Sequence, residues 1–178
     1  MMHALSFFSD SAKELKKVTS LCACAMLTAI KVVVDQFTIV VSNILQIGFS
    51  TIVLGINALY YGPWLAGLCG AISDLLAYIL HPTGVFFLGF TLNEFLVGFI
   101  YGCFFYKQKI TLPRIILAQL TMVLIVHMIL TPLWLHIMYG TGFIALFTAR
   151  IVTQIVKFPI DCLLLYTLLK TMEKVRKP

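Results

Sequence analysis

Apolar residues run through this chain in stretches of about twenty, separated by short polar turns rich in glycine and proline, and the pattern predicts helices of membrane-spanning length. Residues Ala4 to Val18 alternate apolar and charged positions, as expected of an interfacial helix. A first span is predicted from Thr19 to about Asp35, followed by a mixed outer loop from Gln36 to Ile47. A short second helix, Gly48 to Tyr60, ends at Tyr60-Tyr-Gly-Pro-Trp64, where Gly62 stops one helix and Pro63 starts the next. The third runs to about Leu80, the fourth ends near Phe105, the fifth covers about Leu112 to Met138, and the sixth Phe143 to Met172. That last stretch departs from the rest: Arg150, Gln154, Lys157 and Asp161 fall at i, i+4, i+7 and i+11, one stripe of one helix. Charges at membrane depth are costly unless they face a bundle interior, a wet cavity or a partner, so the stripe must look inward.

Composition agrees with that pattern. The 178 residues are 61% hydrophobic and 11% charged, too apolar for a soluble domain. The expected fold is an all-α integral membrane protein, a six-transmembrane-helix bundle. We treat residues 1–178 as one membrane domain, with an interfacial segment over 1–18 and the bundle over 19–173. Basic residues cluster at Lys13, Lys16 and Lys17, at Lys107, Lys109 and Arg114, and at Lys170, Lys174, Arg176 and Lys177. Spans flanked by such clusters keep them cytoplasmic, so six spans place both termini inside, in a multi-pass plasma-membrane protein. The net charge of +6 then reports topology and anionic headgroups, and no nucleic-acid partner is expected. No apolar core follows a basic start, so no cleaved signal peptide is predicted. The chain has neither a GxxxxGK[ST] phosphate loop nor an HExxH pair, which excludes recognisable ATP hydrolysis or catalytic zinc. Its five cysteines lie in apolar runs and read as buried thiols, with no metal site.

Several polar residues fall at a similar depth. Lys31 and Asp35, at i, i+4, sit in the outer part of helix 1; Asp74 and Tyr78 lie in the outer part of helix 3; Asn93 and Glu94 open helix 4; Arg150 enters helix 6 about 10 Å from its start. With Phe37, Phe90, Trp134 and Tyr139 nearby, and Gln154 on the Arg150 stripe, they predict a pocket open to the outside for a flat aromatic ligand with an anionic end. Arg150 can hold a carboxylate bidentately, Lys31 adds a point charge, and Asp74 or Glu94 can accept a pair of donors. The competing local explanations are a Thr91–Glu94 capping box, a packing role for His127 and a Lys157–Asp161 pair beside Pro159. Small residues at Gly62, Ala66 and Gly70, and at Gly98 and Gly102, predict close helix packing, as does Ala25 with Ala29.

In order along the chain, Leu45-Gln-Ile-Gly-Phe-Ser50, Tyr61-Gly-Pro-Trp64 with Gly70-Ala-Ile-Ser-Asp74, Gly84-Val-Phe-Phe-Leu-Gly-Phe-Thr-Leu92, Leu133-Trp-Leu135 with Tyr139-Gly140, and Ala149-Arg-Ile151 with Phe158-Pro-Ile160 resemble the substrate-binding S components of energy-coupling-factor vitamin transporters, the folate-specific type most of all. Thr131-Pro132 departs from the Asn-Thr pair of that pattern, and Lys31 stands where relatives often carry Arg or Gln. The resemblance implies a binding subunit without a catalytic site or resident cofactor, which takes up folate from outside. It further implies a transmembrane coupling subunit, met through Ala25 and Ala29, and two cytoplasmic ATPases that use the ATP. Other vitamins, such as pantothenate or riboflavin, remain open at this point. So do a stand-alone carrier and a membrane enzyme using Asp74, Glu94 and His127.

Overall fold

The computed structural model describes residues 8, 10–36, 39–40, 46–47, 50–80, 86–140 and 143–176. Five long helices carry the fold: α1 (Val18–Gln36), α2 (Ser50–Leu80), α3 (Leu88–Phe105), α4 (Leu112–Tyr139) and α5 (Phe143–Arg176). Between α1 and α2 a small antiparallel hairpin pairs β1 (Ile39–Val40) with β2 (Gln46–Ile47), Ile39 opposite Ile47 and Val40 opposite Gln46. The fold is otherwise helical among the described residues. Helices α1 to α4 each contain a stretch long and apolar enough to cross a membrane. Helix α5 is longer, at 34 residues, and carries Arg150, Lys157 and Asp161 along its length.

The expected turn at Tyr60–Trp64 is reduced to a break at one residue. Gly62 adopts φ 81°, ψ −174°, conformations a side chain would resist, and Pro63 begins the second arm of α2. The two arms and the other four helices make six helical segments, in the order the sequence predicts. A break frees backbone groups, which in an apolar setting need partners. Ser11, fully buried, supplies them: its hydroxyl donates to the Tyr61 carbonyl at 3.2 Å and accepts from the Trp64 N–H at 3.4 Å.

The second arm of α2 runs antiparallel along α3 with almost nothing between the backbones. Gly102 lies against Pro63, Gly98 against the Ala66 carbonyl, Gly67 against Phe95, and Gly70 against the Glu94 carbonyl. That contact sets the register which places Asp74 opposite Thr91, whose hydroxyl donates to the Asp74 carboxylate at 2.6 Å. The predicted capping box is therefore corrected: α3 begins earlier, at Leu88 behind an N-cap at Phe87 that makes no side-chain cap bond, and Thr91 is spent on the neighbouring helix.

The first arm packs instead on α5, where Gly55 makes room for Leu165 and Leu169 and the Tyr60 hydroxyl donates to the Met172 carbonyl at 3.2 Å. Buried polar bonds bring α4 into the same bundle. Tyr101 donates to Gln119 at 2.5 Å, and Gln119 donates to Asp161 at 3.3 Å, joining α3, α4 and α5. One end of the bundle gathers basic residues, because Lys107 pairs with Asp10 at 2.8 Å and Glu173 accepts from the Ile110 N–H at 3.3 Å. In α4, residues Val123–Leu130 are π-helical. A proline ring clashes with the carbonyl four residues earlier, and the widened stretch ends at Thr131, directly before Pro132.

A Gly98→Val side chain would meet the Ala66 carbonyl, which cannot move independently of its helix. Overpacking of this kind costs about 1 to 3 kcal/mol. The thermal midpoint of detergent-purified Gly98→Val should fall by several degrees, while exposed Ile137→Ala should leave it unchanged. Equal midpoints for Gly98→Val and the parent would refute the tight contact.

Candidate functional site

Four of the helices enclose a cavity of about 370 Å³. The first arm of α2 contributes Ser50, Thr51 and Leu54, and the second arm Asp74. Phe90, Asn93, Glu94 and Val97 come from α3; Met122, Val126, His127 and Thr131 from α4; Arg150 and Lys157 from α5. Polar groups are thus segregated by element. The carboxylates belong to α2 and α3, and the cations to α5.

The carboxylate side is neutralised from within. Lys31, its side chain 4% exposed, reaches Glu94 and Asp35 at 3.2 Å each. The i, i+4 pair predicted for helix 1 exists, and it shares its lysine with α3. Lys31 therefore stands behind the cavity wall, holding Glu94 in place. Asp74 takes its hydrogen bond from Thr91.

The cation side is held differently. Neither Arg150 nor Lys157 joins an ion pair among the described residues. They lie seven residues apart on one helix, so about 10 Å separates them along its axis. Lys157, expected to pair with Asp161, lines the cavity and remains in electrostatic reach of Asp161 without a direct ion pair among the described residues, while Asp161 takes its hydrogen bond from Gln119. His127 also differs from the packing role expected of it: it lines the cavity, and its buried Nδ1 has no hydrogen-bond partner among the described residues. A cavity holding unpaired donors selects a ligand with acceptors to meet them.

A third group of residues fixes the rim. Trp134 Nε1 donates to Asn93 Oδ1 at 3.1 Å, Asn93 Nδ2 donates to Thr131 Oγ1 at 3.2 Å, and that hydroxyl donates to the Val126 carbonyl at 2.8 Å. Trp134 also packs on Phe87, with ring centroids 5.5 Å apart. The chain of bonds orients Asn93 rigidly on the wall.

Among the residues predicted for the site, Asp74, Phe90, Asn93, Glu94 and Arg150 line the cavity. Lys31 and Trp134 touch lining residues from behind. Tyr78 packs on Phe86 at 5.0 Å, Gln154 is buried off the wall, and Tyr139 is 60% exposed, so these three do not line it. Phe37 lies outside the described residues. Ala25 and Ala29 are exposed on the outer face of α1, together with Leu21, Met26, Ile30 and Val33. Sequence reasoning missed Ser50, Thr51, His127, Thr131 and Lys157 as wall residues. For Lys157 the signal was present, since it shares the Arg150 stripe.

A polar cavity inside an apolar helical bundle, carrying charges of both signs, defines an integral-membrane binding protein. Residues 19–169 match the family model described as "ECF transporter, substrate-specific component", and the chain belongs to that family. It is a substrate-binding transport component and not an enzyme. The folate transporter FolT of Clostridium novyi is 33% identical over 161 residues, 90% of this chain and 94% of that protein. FolT of Leuconostoc mesenteroides is 32% identical, covering 82% of this chain and 81% of the relative. A solved structure described as the crystal structure of FolT bound with folic acid superposes with a TM-score of 0.78 at 36% identity, over 85% of this chain and 93% of that one.

Removing Lys31 would leave Glu94 and Asp35 facing each other without their shared cation. Breaking a buried ion pair from one side costs about 3 to 5 kcal/mol, and the lower figure applies here because both carboxylates keep some exposure. Lys31→Met should lower thermal stability markedly, and Lys31→Met with Glu94→Gln should recover part of the loss. If the double variant is no more stable than the single one, the pair does not hold the wall.

Proposed function

We propose that this chain is the folate-binding S component of an ECF-type importer, capturing the vitamin from outside the cell and passing it to an energising module. The observation that carries this reading is the pairing of carboxylates and unmatched cations in one cavity of about 370 Å³. Folate offers the complement: an amino-pyrimidine edge rich in donors, an aromatic middle, and a carboxylate-bearing tail. Asp74, Asn93 and Glu94 suit the ring, Phe90 the aromatic body, and Arg150 with Lys157 the anionic end. Lys31 and Trp134 act by positioning Glu94 and Asn93. The similarity to FolT proteins over most of the chain supports folate as the ligand.

The same reading makes the six helical segments six spans. The basic clusters share one end of the bundle, and that end faces the cytoplasm with both termini. The cavity then opens toward the outside. Energy comes from partners, a transmembrane coupling subunit and two cytoplasmic ATPases, and the exposed face of α1 around Ala25 and Ala29 is the surface offered to the coupling subunit.

Equilibrium binding to the purified chain, followed by quenching of Trp64 and Trp134, tests the ligand directly. Folate should bind tightly, and pantothenate, riboflavin and thiamine should not; preference for any of those three would overturn the substrate. Arg150→Ala and Lys157→Met should each weaken folate binding by about tenfold or more, because a charge-assisted hydrogen bond contributes about 1.5 to 3 kcal/mol. A folded variant with parental affinity removes that residue from the site.

A further inference from the structure

At the basic end of the bundle a second cavity, of about 420 Å³, opens between the end of α3 and the start of α4. Its walls are Cys103 and Phe104 from α3, Gln108 and Thr111 from the connecting loop, and Pro113, Arg114 and Leu117 from α4. None of these residues takes part in the folate site. The floor is apolar, and it continues outward along α4 as a stripe of exposed leucines, Leu117, Leu120 and Leu124, at i, i+3 and i+7. The rim is cationic.

Among the described residues no acid pairs with Arg114, and the acids at this end are engaged by other groups. Asp10 is taken by Lys107 at 2.8 Å and Lys13 at 3.0 Å, and Lys107, ahead of Lys13, holds its carboxyl below the usual 3.8. Glu14 is taken by Lys17 at 2.7 Å and by Ser20 at 2.6 Å, and Glu173 by the Ile110 N–H. Arg114 bonds only neutral acceptors among the described residues: its Nη1 donates to Gln108 Oε1 at 3.0 Å and to the Lys109 carbonyl at 3.2 Å. Those two bonds hold the guanidinium at the mouth of the groove and leave its charge unmatched. Lys109, also exposed, adds a second positive charge beside it. The start of α4 contributes in the same sense, since Thr111 gives no side-chain cap to the first turn.

We propose that this groove binds one anionic phospholipid, with the phosphate on Arg114 and an acyl chain along the Leu117–Leu124 stripe. The geometry requires both parts. A free phosphate has no use for the leucines, and a zwitterionic lipid gains less from an arginine that no described acid pairs with. An arginine can hold two phosphate oxygens in parallel, which distinguishes this position from the scattered surface lysines of the same end.

The test is native mass spectrometry of the full chain released from nanodiscs made of equal parts phosphatidylglycerol and phosphatidylcholine. The parent should retain phosphatidylglycerol in preference to phosphatidylcholine. Retention should fall about tenfold in Arg114→Gln and by less in Arg114→Lys, which keeps the charge and loses the fork. Leu117→Trp, which fills the groove and leaves the charge alone, should also expel the lipid, while Lys174→Gln should retain it. Folate affinity, measured on each variant, reports whether the bundle is intact and should not change. Equal retention by the parent and Arg114→Gln would overturn the proposal, as would equal retention of the two lipids. Alkylation of Cys103 gives an independent readout. Protection by phosphatidylglycerol supports the lipid, and protection only when a coupling subunit is added would assign the groove to a protein partner instead.

Discussion

A charge inside an apolar bundle must be matched, either by another side chain or by something that enters. That constraint organises the interior of this protein. Lys31 is matched twice, by Asp35 on its own helix and Glu94 on α3, and Asp161 is reached by an amide that is itself held by Tyr101. Arg150 and Lys157 lack such a partner among the described residues, and they line the cavity. The boundary between charges tied to partner side chains and charges that line the cavity follows from this accounting of partners.

Close backbone contact makes the arrangement possible. Small residues let the second arm of α2 and α3 lie against each other, so Asp74 and Glu94 emerge on adjoining helices at a fixed spacing. The first arm of α2 goes to α5 instead. The break at Gly62 thus sends one helix to two neighbours, and the cavity occupies the space between them, closed by α4.

Much of this was legible in the sequence because it is local. The Gly62–Pro63 break, the helices on either side, the small-residue faces and the i, i+4 relation of Lys31 to Asp35 all rest on residues near one another in the chain. What was not legible depends on which helix lies alongside. Thr91 followed by Glu94 has the spacing of a capping box, yet Asp74, seventeen positions earlier, takes the hydroxyl. Lys157 and Asp161 have the spacing of a pair, yet Gln119 on α4 reaches the aspartate. Tyr139 is aromatic and near the right level but sits on the outside of the bundle. Depth along a helix can be counted from sequence; rotation about its axis is set by its neighbours.

The π-helical stretch Val123–Leu130 shows how much hangs on rotation. It lets His127 face the cavity while Thr131 and Trp134, one turn and two turns on, meet Asn93. Drawing the same eight residues into ordinary α-helical bonding would, by the backbone alone, look favourable. It would also turn everything beyond it by about 100°, one residue's share of a helical turn, and carry Thr131 and Trp134 away from Asn93. Substitutions in this segment can be absorbed one side chain at a time, whereas a change in its winding at constant length dismantles the rim at once.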